Sequence, residues 1–269
     1  MSRRVETYYD SHAESEWDRL DLHRMEFLTT LRAMNEFIPP RSTNLDVGAG
    51  PGRYSIELAK AGHIVTLLDL SPRNVELARQ KASNQGAAIA EFVCGKALDL
   101  SRFVDSSFEV VLLVGPLYHL VEPSDRDLAI NEALRVLKPN GLLFASFISR
   151  YAVYVDLLKS DPGLITRYAT TYGQLMATAV HIPNEQNPGF TDAHFMHPKD
   201  IEPLMSRHGL ITLRLAVSEG LIAPVEPSVN ALPKEAFDQW VEVCYRLGTD
   251  PITWGAGEHM LYVGRKEPR

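Results

Sequence analysis

The sequence predicts an α/β fold, a mostly parallel sheet with helices on both faces. Three observations carry this. Apolar runs of strand length alternate with helix-length amphipathic segments from residue 43 to residue 148. Two of these runs, "HIVTLLDL" (63–70) and "FEVVLLVG" (108–115), are apolar enough to be covered on both faces, as parallel strands are. A turn with glycines at 48, 50 and 52 joins the first run to its helix.

The elements follow in order. Residues 13–38 read as one helix, because Phe27, Leu31, Met34 and Ile38 share a stripe at the helical period. Pro39 and Pro40 end it. Residues 44–48 are a first strand and 54–62 a helix closed by Gly62. After the second strand, Ser71 caps a helix over 71–86, with Pro72 at its first turn and Gly86 at its end. Residues 88–95 are a third strand. The fourth strand, 108–115, precedes an amphipathic helix at 125–137 with "KPNG" as its turn, and 142–148 is a fifth. The rhythm then breaks. Residues 149–208 are taken as an insertion, rich in Tyr, His and Pro up to residue 199. Closing elements are a strand at 209–217, a helix at 234–248 and a strand at 259–265. Phe237, Trp240, Val241, Cys244 and Leu247 share one side of that helix and are expected in the core.

At 269 residues the chain fits one large domain, divided into an N-terminal helical cap (1–42), a core (43–148), the insertion (149–208) and the closing elements (209–269). Its net charge is -7, and no Lys/Arg cluster runs along any segment. A nucleic-acid track needs such a cluster, so no nucleic-acid partner is expected. Cys94 and Cys244 are too few for a disulfide framework and are read as small buried hydrophobes. His194 and His197 have H-x-x-H spacing, but no third ligand stands at metal-binding distance, so no metal is expected. No apolar leader or membrane-length run is present, so no membrane partner is expected and the cytoplasm is the expected location. Whether the chain is a monomer or a homodimer is left open.

The glycine turn carries the functional signal. Its glycines let backbone approach a ligand closely. Asp69 ends the second strand, where a carboxylate can accept from ribose hydroxyls. Asp46 lies two residues before Gly48, where it would repel a pyrophosphate held at the helix N-terminus. A ligand with a cationic amino-acid end gains from that acid instead. S-adenosylmethionine has adenosine, an ammonium and a sulfonium, and no phosphate. The spacing is G-x-G-x-G with Arg53 next, which departs from the dinucleotide pattern.

The stretch "LDVGAGPGRYSIELAKAGHIVTLLDLSPRNVELARQKA" resembles the first two motifs of class I S-adenosylmethionine-dependent methyltransferases. "DSSFEVVLLVGPLYHL" and "EALRVLKPNGLLFASF" resemble later ones, so the likeness covers roughly residues 43–148 plus the two closing strands. It implies a Rossmann-like seven-stranded sheet in order 3-2-1-4-5-7-6, with strand seven antiparallel and a lid insertion after strand five. It implies that Asp46, Gly48 and Gly50 line the methionine end and that Asp69 holds the ribose. Leu70, Ala97 and Leu98 then flank the adenine, and Gly115 after strand four completes the cofactor set. Lys96 departs from the pattern: the family often has an acid there, touching the adenine amino group. Lys96 cannot accept that bond, so a backbone group must.

The same topology brings "GPLYHL", "SRYAVY" and "GEHM" to the cofactor edge. Tyr118, Arg150, Tyr151, His194 and Glu258 are the expected acceptor contacts, and His119 and His259 the expected bases. Tyr8 is expected over the cofactor, with Tyr9 beside it. The reading is methyl transfer to a small-molecule oxygen, nitrogen or carbon nucleophile by in-line displacement. A non-catalytic cofactor-binding module and an NAD-dependent oxidoreductase are the alternatives.

Overall fold

The buried strands of the chain collect into one twisted sheet. In the computed structural model, which describes residues 3–185 and 190–268, the strands are β1 (Thr43–Val47), β2 (Ile64–Asp69), β3 (Glu91–Cys94), β4 (Phe108–Leu113), β5 (Leu137–Ser149), β6 (Val180–His181), β7 (Ala193–Met196), β8 (Leu210–Val217) and β9 (His259–Lys266). The parallel order β3-β2-β1-β4-β5 matches the expected first five strands. β9 lies antiparallel to β5, and β8 antiparallel to β9. These last two are the sixth and seventh strands of the expected order, so the seven-stranded arrangement is present. β7 adds to it. It runs parallel to the end of β5, Ile148 opposite Phe195, on the side that β4 leaves after pairing Leu113 with Ala145. β6 then pairs antiparallel with β7.

The helices are α1 (Arg3–Leu22), α2 (Arg24–Phe37), α3 (Arg53–Lys60), α4 (Pro72–Asn84), α5 (Pro116–His119), α6 (Pro123–Val136), α7 (Ala152–Lys159), α8 (Leu164–Arg167), α9 (Ala169–Thr178), α10 (Pro198–Arg207), α11 (Glu226–Asn230) and α12 (Lys234–Leu247). Both sheet faces are covered, and the period of two decides which residue serves which face. Val111, Leu113, Leu143 and Ala145 pack with Ile130 of α6 and Met205 of α10. Val110, Leu112, Leu142 and Phe144 pack on the other face with Met34, Tyr54 and Tyr245.

Four expectations are corrected. Residues 13–38 are two helices: α1 already begins at Arg3, and His23 breaks the run at φ -98, ψ 54. "KPNG" is extended rather than a turn, with Asn140 at φ +61 and a slip in the β4–β5 register between Phe108 and Val110. Cys94 is exposed, because β3 is the sheet edge, whereas Cys244 is buried. Trp240 is 40% exposed and Leu247 43%, because Phe237 and Cys244, with Val241 partly buried beside them, are the members of that stripe that meet the neighbouring α2 and residues 220–229.

α1 lies as a strap across the carboxyl ends of β1 and β2. Asp10 accepts from Ser71 Oγ at 2.5 Å, and Arg53 of α3 donates to the Trp17 carbonyl at 3.0 Å. Arg4 pairs with Asp192, next to β7, at 2.6 Å. No described helix is long and apolar enough to cross a membrane.

Candidate active site

The turn after β1 is built as its glycines imply. Gly48, Gly50 and Gly52 have φ of +71, +56 and +88. A Cβ at Gly48 would stand 2.4 Å from Pro116 Cγ, so the chain closes there only with glycine. Asp69 holds the turn from β2. Its Oδ2 accepts from Gly50 N at 2.7 Å, and its Oδ1 from Ser71 N at 2.9 Å and Asn74 Nδ2 at 3.2 Å. Burial raises its pKa, and those three donors pull it back.

Asp46 is 1% exposed and accepts from Ser55, whose Oγ lies at 2.6 Å and whose backbone N–H adds a second bond. Burial lifts its pKa to about 7; the Ser55 bonds oppose that, and the nearby Asp69 carboxylate adds to it. An ammonium placed here would relieve both charges. Asp46, Gly48, Gly50, Asp69, Leu70, Ala97 and Gly115 line one cavity, with Gly95 and Asn74. Leu98 packs against the core instead and is outside that lining, as is Lys96. Tyr8 is outside it too. It stacks on His12 at 4.3 Å and meets Phe190 edge-on, facing an outer groove, while Tyr9 faces the cavity.

A second cavity of about 430 Å³ adjoins the first. Tyr9, Glu16, Arg19 and Tyr118 line both and form the shared wall. Its far walls carry the apolar side chains of Ile148, Val153 of α7, Leu175 of α9, Phe190 and Phe195, interspersed with polar ones such as Thr171, Gln174 and His181. Its other end is charged and includes His23, Glu258 and His259. Arg150, Tyr151 and His194 line neither cavity. Tyr151 bonds His197 Nε2 at 3.0 Å, and burial with nearby Arg126 and Arg150 lowers the His194 pKa to about 4.

The two expected bases have different surroundings. His119 is 5% exposed, with Nδ1 2.9 Å from the Asp192 carbonyl. That oxygen only accepts, so Nδ1 carries the proton and Nε2 accepts from Tyr9 Oη at 2.6 Å. Burial lowers the His119 pKa to about 4, against the Asp192 bond. The ring is neutral at pH 7, and its lone pair is held by Tyr9. His259 is the opposite case. Its Nδ1 lies 2.5 Å from Glu219 Oε1 and 3.5 Å from Glu26 Oε2. Burial disfavours the charge, but Glu26 and Glu219 outweigh it and raise the pKa to about 9. That favours the imidazolium at neutral pH, which has no lone pair to take a proton and speaks against the expected role of His259 as base. Glu26 is also gripped by Arg19 at 2.7 and 3.3 Å. Burial opposes its charge, but Arg19 and His259 lower its pKa to about 2. Glu26, Glu219 and His259 are the one group among the described residues whose donor atoms converge closely enough to share a metal, within 4.8 Å. The imidazolium and the Arg19 guanidinium already supply positive charge there.

Glu16, Arg19, Glu26 and Glu219 escaped the sequence reading. Glu16, Arg19 and His23 do carry a signal, since i, i+3 and i+7 share one helical face. Glu219 carries none, because it meets His259 only through the pairing of β8 with β9.

The family described as methyltransferase domain matches residues 45–145. The ubiquinone biosynthesis O-methyltransferase of Pasteurella multocida is 37% identical over 114 residues, 39% of this chain and 46% of that protein. The tRNA 5-carboxymethoxyuridine methyltransferase of Escherichia coli K12 is 27% identical over 123 residues, 45% of this chain and 46% of that protein. The chain thus spans about half the length of the curated relatives it matches. A solved S-adenosylmethionine-dependent methyltransferase of Methanosarcina mazei superposes with a TM-score of 0.62 at 19% identity, over 88% of this chain and 98% of its own. The tRNA-modifying relative corrects the exclusion of nucleic acid. Net charge sums the whole surface and does not describe the mouth of one site, so -7 is no ground for that exclusion. Residues 45–145 are thus a methyltransferase domain, and the fold, the glycine turn and these matches support its place among the class I S-adenosylmethionine-dependent methyltransferases, with S-adenosylmethionine as its cofactor.

Proposed function

We propose that the chain transfers a methyl group from S-adenosylmethionine to a small molecule bound in the cavity beside the glycine turn. One observation carries this: two cavities meet at a wall of Tyr9, Glu16, Arg19 and Tyr118. The first fits the cofactor on its own chemistry. Its buried Asp46 lacks a cationic neighbour, and at Gly48 the backbone is bare. When bound, S-adenosylmethionine supplies an electrophilic methyl on its sulfonium. Asp46 would receive the cofactor's ammonium, and the one lone pair left on Asp69 Oδ2 would accept from a ribose hydroxyl. Leu70 and Ala97 would flank the adenine, whose amino group would turn to backbone beside Gly95 and Ala97 in place of a Lys96 side chain.

The second cavity, with apolar side chains on its far walls, sets the acceptor against the shared wall. Holding a nucleophile in line supplies much of the rate in such a displacement. Tyr9 faces both cavities with its proton donated to His119, so its oxygen lone pairs remain available to orient the acceptor. Residues of the insertion, Val153, Leu175 and Phe190 among them, exclude water. An open second cavity supports catalysis over a non-catalytic binding module. Asp46 and the glycine spacing speak against NAD.

The test runs in two stages. S-adenosylmethionine and S-adenosylhomocysteine should each raise the melting temperature, and NAD should not. Methyl-labelled S-adenosylmethionine is then incubated with the protein and either a metabolite extract or bulk tRNA. Label in the metabolite fraction supports the proposal, and label confined to tRNA overturns the small-molecule reading. Stabilisation by NAD alone overturns the cofactor assignment in this chain.

A further inference from the structure

The charged end of the second cavity contains more acidic side chains than cations, and burial raises the pKa of Glu16 and Glu258. Glu16 and Glu258 line it, and Glu26, Glu219 and Glu226 stand behind them, all but Glu16 less than 9% exposed. Against these five stand Arg19, Lys159 and His259, each already in an ion pair. Arg19 grips Glu26 at 2.7 Å, His259 contacts Glu219 at 2.5 Å, and Lys159 lies between Glu258 at 2.7 Å and Glu226 at 3.5 Å. Counting His23 as a further cation, 3.3 Å from Glu226, still leaves the acids in excess. Asp156 of α7 adds another carboxylate to the lining.

Two buried polar atoms at this end also lack a directed hydrogen bond. One is Glu258 Oε1, on a residue 6% exposed, whose contact with Lys159 is close but poorly aimed. The other is His23 Nδ1. Both residues line the cavity. An ionised carboxylate only accepts, so any further partner of Glu258 beside Lys159 must be a donor. Lys159, at 2.7 Å, is shared with Glu226 and leaves Glu258 short of positive charge: burial and the nearby Glu219 raise its pKa, and a further charged donor would offset that cost.

We propose that the methyl acceptor carries a protonated amine, which Glu258 binds at this end while an apolar body lies against Val153, Leu175 and Phe190. The inference rests on the second cavity being the acceptor site. The excess of acidic side chains, walled by low-dielectric ones, would draw a cation in and turn away an anion of the same shape.

The test is a charge series on one ring, run on wild-type protein saturated with S-adenosylhomocysteine: tyramine, tyrosol and 3-(4-hydroxyphenyl)propionate. Calorimetry should show tyramine binding at least about tenfold tighter than tyrosol, with the propionate weakest. In Glu258→Gln the advantage of tyramine over tyrosol should disappear. The wild-type series stands by itself if that variant folds poorly. Equal affinities, a preference for the propionate, no tyramine binding at millimolar concentration, or an unchanged preference in Glu258→Gln would each overturn the proposal. Stabilisation by magnesium or zinc in place of tyramine would also overturn it, by assigning the excess charge to a metal. S-adenosylhomocysteine binding is measured first and separately. Its loss would sink the methyltransferase reading, whereas its presence without a charge preference sinks only the amine.

Discussion

A buried acid with a pKa near 7 makes Asp46 a proton switch for its ligand. In the empty protein the neutral form is favoured, because the folded value of about 7 stands well above the usual carboxylate range. Its contribution to stability is therefore full below about pH 4 and is lost as pH rises through about 7. A bound ammonium favours the charged form, so S-adenosylhomocysteine affinity should rise about tenfold from pH 6 to its plateau above pH 7. Calorimetry in buffers of differing ionisation enthalpy checks this. Asp46→Asn should flatten the dependence, and a flat wild-type curve would place the ammonium elsewhere. Asp69 does two jobs. Asp69→Ala should weaken S-adenosylhomocysteine binding and, by orphaning the amides of Gly50 and Ser71, cost about 2 kcal/mol or more in urea denaturation. His119, with its pKa lowered to about 4, should show no titration between pH 5.5 and 8 in ¹⁵N-labelled imidazole spectra. A mid-range titration there would restore it as an ordinary base. Tyr9→Phe should leave cofactor affinity intact and lower turnover.

The start of β9 is held by charges from two distant elements, Glu26 of α2 and Glu219 before the 3₁₀ turn Gly220–Val225. His259 has a raised folded pKa, so its stabilisation is full below about pH 6.5 and fades as pH passes about 9. Glu26 has a lowered one, so its stabilisation is present above about pH 4.5 and fades as pH falls towards about 2. The melting temperature should therefore decline between pH 7 and 10. His259→Gln should remove that alkaline limb and cost about 3 kcal/mol or more, because two buried carboxylates then face each other. The elements themselves were unevenly legible. β1 to β5 and the glycine turn could be read because their signals are local: apolar runs, positive φ and the Ser71 cap, which does accept from Asn74 N at 3.0 Å. The early part of α1 could not. It lacks an apolar stripe and is fixed by contacts such as Asp10 with Ser71 and Arg53 with Trp17, which no periodicity records. Asp46 and Asp69 were legible for the same local reason. Glu26 and Glu219 were not, since each finds His259 only across the finished fold.

At the scale of the molecule, the strap across the sheet edge joins three parts: α4 through Asp10, α3 through Trp17, and the segment between β6 and β7 through Arg4. Arg4→Ala should loosen its first turns, read as faster proteolytic cleavage near the N-terminus, and S-adenosylhomocysteine should slow that cleavage in wild type and variant alike. A ligand without protective effect would mean that the strap does not sense the cofactor cavity. The placing of Tyr9, before the kink of α1 at His12, and of Glu16 and Arg19, after it, each bordering both cavities, has a thermodynamic consequence. The two sites share a wall, so whatever free energy one ligand spends ordering α1 would be spared the other. Cooperativity of this kind is reciprocal: if the cofactor tightens acceptor binding by some factor, the acceptor tightens cofactor binding by the same factor. The spent cofactor keeps the ammonium that Asp46 would receive, so it would hold the wall in place as well. Release of the two products would then be linked, and the enzyme would be slowed by its own by-product most strongly when acceptor is abundant.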